Sequence, residues 1–317
     1  MVRGIERRVI FRDELDRADF VTRLAALVKI GALAIYAWAL LPNHAHLLVR
    51  TGSRPLPRSM RSLLTGYAGA FNRRHKRVGH LFQNRYKSIV VEEEPYLLEL
   101  VRYLHLNPLR ARLLSDLRAL DRYPWTGHSA LLGTVPRPWQ ETATILSQFA
   151  PTWRRALHAY RAFVAEGLPQ GRRPEFQGGG LVRSLGGWQA VATARRGEAL
   201  GPSDTRILGG GDFVTAILRE SATARAEPPA QVSLETLAAR LAASLEVPLP
   251  ALLGKSQTPA VVVARHLLAH LWVERLGQPA SVLARHLGQS RGNVSLAARK
   301  GAEYATARPT EIARWCR

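Results

Sequence analysis

The spacing of apolar positions changes period several times in the first 115 residues, and each change marks an element. In ELDRADFVTRLAALVKI (14–30) the apolar residues Leu15, Phe20, Leu24, Leu27 and Val28 recur at helical spacing, and Gly31 closes the run. AIYAWAL (34–40) reads as a strand, with the bulky Tyr36, Trp38 and Leu40 expected on one face. Pro42-Asn43 predicts a tight turn, and HAHLLVR (44–50) a second strand, so the two form a hairpin. A helix is predicted over 57–74, a short strand near Tyr86 to Val91, and a further helix from Pro95 through YLLELVRYLHLNPLRARLL. This alternation predicts an α+β fold built on an antiparallel sheet.

Beyond residue 120 the pattern is broken by turn signals: YPWTGHS, GTVPRPWQ, GLPQGRRP and QGGGLVRSLGG. Short helices are expected between them, over 141–166 and 212–221. After AEPPAQ (226–231) the chain becomes strongly helical from Val232 onward. The expected organisation is therefore a first domain over 1–133, a partly helical connector over 134–231 and an all-α domain over 232–317.

Composition narrows the function. No apolar run approaches the ~18 residues that a membrane helix requires, and MVRGIERRVIF carries charges where a signal peptide needs an apolar stretch. A cytoplasmic, nucleoid-associated protein is expected. Cys316 is the single cysteine, which excludes an internal disulfide and a cysteine-based zinc site. The formal net charge is +21 over 317 residues. A coding bias accounts for the choice of arginine over lysine, of which there are only five, but not for the excess over acids. A polyanionic partner, most simply nucleic acid, accounts for that excess.

Candidate chemistry sits on the second strand of the hairpin. Alternate residues share a strand face, so His44 and His46 point the same way with Cα atoms roughly 6.6 Å apart. Two imidazoles so placed can grip one metal ion or one phosphate, although a lone H-x-H is more often an ordinary pair of strand histidines. On the predicted helix after Pro95, Tyr103 and Asn107 are four apart and share a face. Asn107 can supply an oxygen ligand, and Tyr103 a hydroxyl that becomes a useful nucleophile where a cation polarises its target. The plain alternatives are a packing tyrosine and a helix stop at Asn107-Pro108. Tyr96 is a rival nucleophile, but position 100 is Leu, so it lacks a polar residue one turn on. Between the two elements, Arg50, Arg54, Arg58, Arg61, Arg73, Arg74, Lys76, Arg77, Arg85 and Lys87 occur with no acid among them. Tyr67, Phe71, Phe82 and Tyr86 interleave with them, a pairing of cations for phosphates and rings for bases that suits single-stranded nucleic acid.

Three motifs in order, WALLPNHAHLLVRTG, GHLFQNRYKSIVVEEEPYLLELVRYLHLNPLRA and YPWTGHSALLG, resemble the REP-associated tyrosine transposases, relatives of the single-tyrosine HUH transposases. The resemblance is dense over 1 to about 133, and RILGGGDFV (206–214) is similar to a tail of longer members. It implies a ferredoxin-like or RRM-like HUH catalytic domain, in which His44, His46 and Asn107 hold magnesium or manganese, with Ala45 in the hydrophobic slot. It implies Tyr103 as the nucleophile in transesterification on single-stranded or hairpin DNA, through a 5′-phosphotyrosine. It also implies a longer stretch ahead of Met1, so that part of the first strand is expected to be missing here. A domesticated relative that binds hairpins without cutting them is the alternative. A histidine-triad nucleotide hydrolase would need a third histidine at position 48, which is Leu, and a two-histidine phosphoesterase would need a second H-x-[ST] pair.

In the last segment, ASVLARHLGQSRGNVSLAAR (280–299) fits a helix-turn-helix, with Ala284, Gly288 and Val294 at its small, turn and plug positions and Leu283, Leu287 and Ala297 in the other buried slots. The second helix would present Ser290, Arg291, Asn293 and Arg299 to DNA. Residues 233 to about 300 resemble the DNA-binding domain of the replication initiator DnaA, with SRGNV standing where that family's base-reading residues fall. The implied partners are single-stranded or hairpin DNA for the first domain and duplex for the last, whether the chain acts alone or as a homodimer.

Overall fold

The β2 strand (Leu33–Leu41) and the β3 strand (His44–Thr51) pair antiparallel across the two-residue turn at Pro42–Asn43, as their alternation predicts. They form the centre of a computed structural model that describes residues 1–52, 54–171, 176, 204, 206–226, 232–306, 311 and 315. The QGGGLVRSLGG turn signal, most of AEPPAQ and Cys316 lie outside the described residues. The chain divides into two compact units, Met1–Ala222 and Thr223–Arg317.

In the first unit, strand β1 (Val2–Arg3) lies antiparallel on the free edge of β3, with Arg3 opposite His44. Its own outer edge is taken by residues 81–87: Ile5 N–H donates to Leu81 O (3.0 Å), Gln83 N–H to Arg3 O (2.9 Å) and Lys87 N–H to Met1 O (2.9 Å). The strand expected near Tyr86 to Val91 is therefore displaced. Residues 81–87 follow β1, and only β4 (Val90–Val91) is a regular strand, pairing in parallel with β5 (Ile207–Leu208).

A register shift between Ile35 and Ala37 puts a bulge at Tyr36. A bulge turns a side chain to the other face. Tyr36 was expected to share a face with Trp38 and Leu40, but it joins Ala37 in a different cluster. One face of the hairpin sends Ile35, Trp38, Leu40 and Ala45 against α1 (Glu14–Lys29) and α2 (Leu56–Arg74), where Phe20, Leu24, Tyr67 and Phe71 are fully buried. The other face sends Tyr36, Ala37 and Leu48 against α3 (Glu93–His105) and, further out, α8 (Trp153–Glu166).

Helix α3 starts two residues before Pro95 and stops earlier than expected. Pro108 has no N–H to continue the ladder to Leu104. The chain breaks at Leu106 and resumes as α4 (Asn107–Arg110), so Tyr103 and Asn107 belong to successive helices. Short helices α5 (Leu117–Asp121), α6 (Gly127–Leu131) and α7 (Ala143–Leu146) lead to α8, and α9 (Gly211–Ala226) follows β5. Under this layer lies a buried polar chain. Asp121 accepts from His128 Nε2 (3.0 Å) and from Arg161 Nε (2.9 Å). His128 Nδ1 meets the Tyr160 hydroxyl at 2.7 Å, and that hydroxyl meets His105 Nδ1 at 2.8 Å. With Nε2 of His128 donating to the carboxylate, its Nδ1 is the acceptor, so Tyr160 donates to His128 and accepts from His105.

The second unit is helical: α10 (Leu234–Ser244), α11 (Leu249–Leu253), α12 (Pro259–Ala269) running into a π-helical turn at His270–Arg275, α13 (Ala280–His286) and α14 (Arg291–Thr306). Arg265 is buried, and its guanidinium donates to the carbonyls of Ala251, Leu252, Gly254 and Ser256 at 2.7–2.8 Å. Three of these carbonyls lie at the end of α11, which leaves them without helical partners, and the fourth follows just beyond it; together they make a buried cation tolerable there. Leu283, Ala284 and Val294 are buried, as the helix-turn-helix spacing predicts, and Gly288 turns with φ +59°. Ala298 is the fully buried residue of its pair, and Ala297 packs only partly, because the face of α14 turns one residue later than expected.

Two stability outcomes follow. A Cβ on Gly301 would stand 2.0 Å from His266 O, where α14 crosses α12. Alanine gains about 0.5–1 kcal/mol of helix propensity over glycine, but forcing two packed helices apart costs about 1–3 kcal/mol. Gly301→Ala should thus lower the unfolding midpoint in urea, and a rise would show that the helices yield. Burial, only partly opposed by Asp121, holds His128 below its ordinary pKa, and burial then His128 hold His105 well below. In the unfolded chain both titrate near 6.5. As pH falls through 6.5 the unfolded state binds protons that the folded state refuses, so stability declines toward acid. Tyr160→Phe should cost about 1–3 kcal/mol by leaving two imidazoles without their hydroxyl; an unchanged urea midpoint would deny the chain its role.

Candidate active site

The alternation of β3 decides what faces α3. Ala45 turns to the α1–α2 core, where Leu47 and Val49 pack partly buried while also reaching the cavity, and His44, His46, Leu48 and Arg50 lie on the opposite side. There they line a cavity of about 1050 Å³ together with Tyr103 of α3 and Asn107 and Arg110 of α4. All four residues proposed from the sequence as metal ligands or nucleophile thus line one cavity.

The two imidazoles stand edge to face, ring centroids 5.0 Å apart. His44 Nδ1 is 2.6 Å from Asn43 Oδ1. The amide oxygen can only accept, so Nδ1 carries the proton and Nε2 keeps its lone pair, the usual way an outer partner fixes a ligating histidine. Burial, then Arg3 and the terminal amine, lower the His44 pKa to about 4. Burial, then His44, hold His46 well below its ordinary value. Both are neutral at physiological pH, the form that binds metal. Asn107 is buried at 8% exposure, and among the described residues its Nδ2 has no hydrogen-bond partner. A buried amide left so costs about 1–3 kcal/mol, a cost that a ligand in the cavity would relieve. Two neutral imidazoles and one amide oxygen fit a divalent cation with positions left for phosphate.

Tyr103 is 4% exposed. Its ring meets the Phe176 ring edge-on at 5.2 Å, and the Arg110 guanidinium lies 5.0 Å from its centroid. Arg110 Nη1 also donates to Tyr103 O (3.1 Å), tying α4 back onto α3. The rival Tyr96 does not line the cavity; it packs partly buried on the α3 core, and burial followed by Glu92 raises its pKa.

The basic stretch separates into groups. Arg50 and Lys87 line the cavity, and Arg50 lies 5.6 Å from the centroid of the Tyr36 ring. Arg61, Arg73, Lys76 and Arg85 are exposed, and Arg58 is half-buried. Arg77 donates to Asn72 Oδ1 (3.0 Å) and His80 O (3.2 Å), holding its loop. Arg74 is committed to the buried carboxylate of Asp16. Tyr67 and Phe71, expected as base-stacking rings, are core residues with no exposed surface, while Tyr86 reaches the cavity. Sequence reasoning missed Arg3, Arg7 and Arg110, which also line the cavity. None of the three carried a local signal in the sequence: Arg3 reaches the cavity because β1 sets it opposite His44 in register.

Asp13, Asp16 and His75 form a second group of ligand-type side chains. Asp16 already accepts from Arg74, from His75 (2.9 Å) and from Arg12 N (2.9 Å), and Asp13 accepts from Asp16 N (2.8 Å) as the α1 N-cap. These bonds make it an ion-pair and capping cluster. In the second unit Arg291, Asn293 and Arg299 are exposed on α14. Ser290 accepts from Asn293 N (3.1 Å), so it serves as a helix cap.

Residues 1–107 match the family model described as Transposase IS200 like. The matched span holds His44, His46, Tyr103 and Asn107. No curated protein and no solved structure matches the chain. Among the described residues no helix is long and apolar enough to cross a membrane.

If Asn43 fixes the His44 tautomer, Asn43→Ala should weaken manganese binding about 10- to 100-fold, read by calorimetric titration at neutral pH. Unchanged affinity would remove Asn43 from the site.

Proposed function

We propose that the Met1–Ala222 unit breaks and rejoins single-stranded or hairpin DNA through Tyr103. The observation that carries this reading is the shared cavity of His44, His46, Tyr103 and Asn107 within the span that matches the transposase family. His44, His46 and Asn107 would hold a divalent cation, magnesium or manganese, which when bound would polarise a DNA phosphate. The Tyr103 oxygen attacks that phosphorus, its P–O bond forms, and the bond to the 3′ oxygen breaks. The phenolic proton leaves and the 3′ oxygen ends as a hydroxyl, with the 5′ end joined to Tyr103. Attack by a 3′-hydroxyl on the phosphotyrosine reverses the step, so rejoining needs no nucleotide cofactor. Arg3, Arg7, Arg50, Lys87 and Arg110 supply positive charge around the phosphates.

The Thr223–Arg317 unit is proposed to bind duplex DNA through α13 and α14, with Arg291, Asn293 and Arg299 presented to the groove. Holding duplex would raise the local concentration of a nearby hairpin for the first unit. REP-type palindromes are the hairpins that the resemblance favours. A domain scheme of 1–133, 134–231 and 232–317 goes with this reading.

A second reading has its own observation. Tyr103 is packed against Phe176 and Arg110 and nearly inaccessible, as in a relative that binds hairpins without cutting. One assay separates the two. Labelled hairpin DNA with a single-stranded flank is incubated with the protein and manganese, then denatured. A covalent adduct present in the native protein and lost in Tyr103→Phe supports strand transfer. Tight binding with no adduct favours the binding protein.

A further inference from the structure

A cavity of about 1050 Å³ is at the upper end of ligand pockets, which run roughly 300–1,000 Å³. It is more than a cation and a phosphate require. Its charged lining is one-sided: Arg3, Arg7, Arg50, Lys87 and Arg110 against a single carboxylate, Glu93, among the described residues. Glu93 is an exposed acid in the first turn of α3; a carboxylate there repels phosphate but can accept from a donor that phosphate does not have. Nucleobases carry such donors.

The Glu93 carboxylate is held in place. Tyr36 donates its hydroxyl to Glu93 Oε1 (3.1 Å), and the bulge in β2 is what turns Tyr36 to this face. Burial, then the hydrogen bond to Glu93, raise the Tyr36 pKa, so the phenol stays a donor. That bond uses Oε1, and Glu93 is exposed, so its Oε2 can be reached by a ligand. Arg50 lies over the Tyr36 ring, 5.6 Å from its centroid, and offers a flat cation on which a base can stack.

We propose that Tyr36, Arg50 and Glu93 form a base-reading corner of the cavity, selective for an unpaired guanine next to the cleaved phosphate. Guanine alone presents two adjacent donors, N1–H and the N2 amine, on its pairing edge, and a carboxylate accepts both at once. Adenine and cytosine place a ring acceptor beside their amine, which the carboxylate repels. Thymine flanks its one ring N–H with carbonyls. The pairing edge is open only in single strands, in keeping with the proposed hairpin flank on which this inference rests.

The test is binding without turnover. The full chain in EDTA is titrated, by fluorescence anisotropy, with oligothymidine strands beside a hairpin, each carrying guanine, inosine, adenine or cytosine at one scanned position. Guanine should be preferred at one position by on the order of 10- to 100-fold, with inosine, which lacks the N2 amine, much weaker. Glu93→Gln should erase that preference while binding the all-thymidine strand as tightly as the native chain or more so, because it removes a repulsive charge. Glu94→Gln, on the same first turn of α3 but outside the cavity, controls for a mere helix-end effect and should keep the preference. No base preference in the native chain, a guanine preference that survives Glu93→Gln, or a preference for cytosine or adenine would overturn the proposal. None of these outcomes depends on adduct formation by Tyr103, so the reading of strand transfer stands or falls separately.

Discussion

Strand β3 must satisfy two environments one residue apart. Ala45 enters a core with no exposed surface, while its neighbours His44 and His46 face the cavity beneath α3. A slip of one residue would drive both imidazoles into the packing of Phe20, Leu24 and Tyr67 and turn Ala45 to the cavity. The register is pinned on both edges. β2 pairs along the whole strand, and β1 sets Arg3 opposite His44 while residues 81–87 close its far side. The one place where β2 breaks step, at Tyr36, is the place where an aromatic residue is moved onto the cavity face.

The opposite wall depends on the α3–α4 junction. Pro108 ends the ladder, so nothing in the helix itself fixes the angle at which Asn107 follows Tyr103. His105 stands between them in sequence and is tied through the Tyr160 hydroxyl to His128, all three fully buried, and through His128 to the partly exposed Asp121. Arg110 adds a second tie by donating to Tyr103 O. The YPWTGHS motif, which has no residue in the cavity, acquires a physical reason here: Thr126 caps α6 by accepting from His128 N, and His128 anchors the junction.

Periodic features were legible in the sequence. The extents of α1, α2, β2 and β3, the shared face of His44 and His46, and the buried slots of α13 and α14 all rest on spacing within one element. What escaped depends on partners distant in the chain. The pairing of 81–87 is set by β1 some eighty residues away, and the bulge at Tyr36 has no local signal in AIYAWAL. Tyr67 and Phe71 looked available to bases because their helix is rich in arginine, yet tertiary packing places Tyr67 against Phe11 and Phe20, and Phe71 against Tyr67 and His75. Ser290 was expected at DNA, while its hydroxyl closes the first turn of α14.

The same distinction governs the charge. A net charge of +21 attracts polyanions at long range whatever each cation does. Salt dependence of binding, however, counts only the cations that displace counterions from phosphates. Arg74 neutralises Asp16, Arg265 answers four carbonyls, and Arg102 is shared among Glu99, Gln170 and the Phe163 ring. Such residues add to the long-range attraction of a polyanion without being free to grip it. The grip must come from side chains that reach the cavity or stay exposed, which in the 50–87 stretch are chiefly Arg50, Arg61, Arg73, Lys76, Arg85 and Lys87. Against that background Glu93, an exposed acid in the first turn of α3, is the one carboxylate among the described residues of the cavity lining, and the proposed reading of a base gives it a use there.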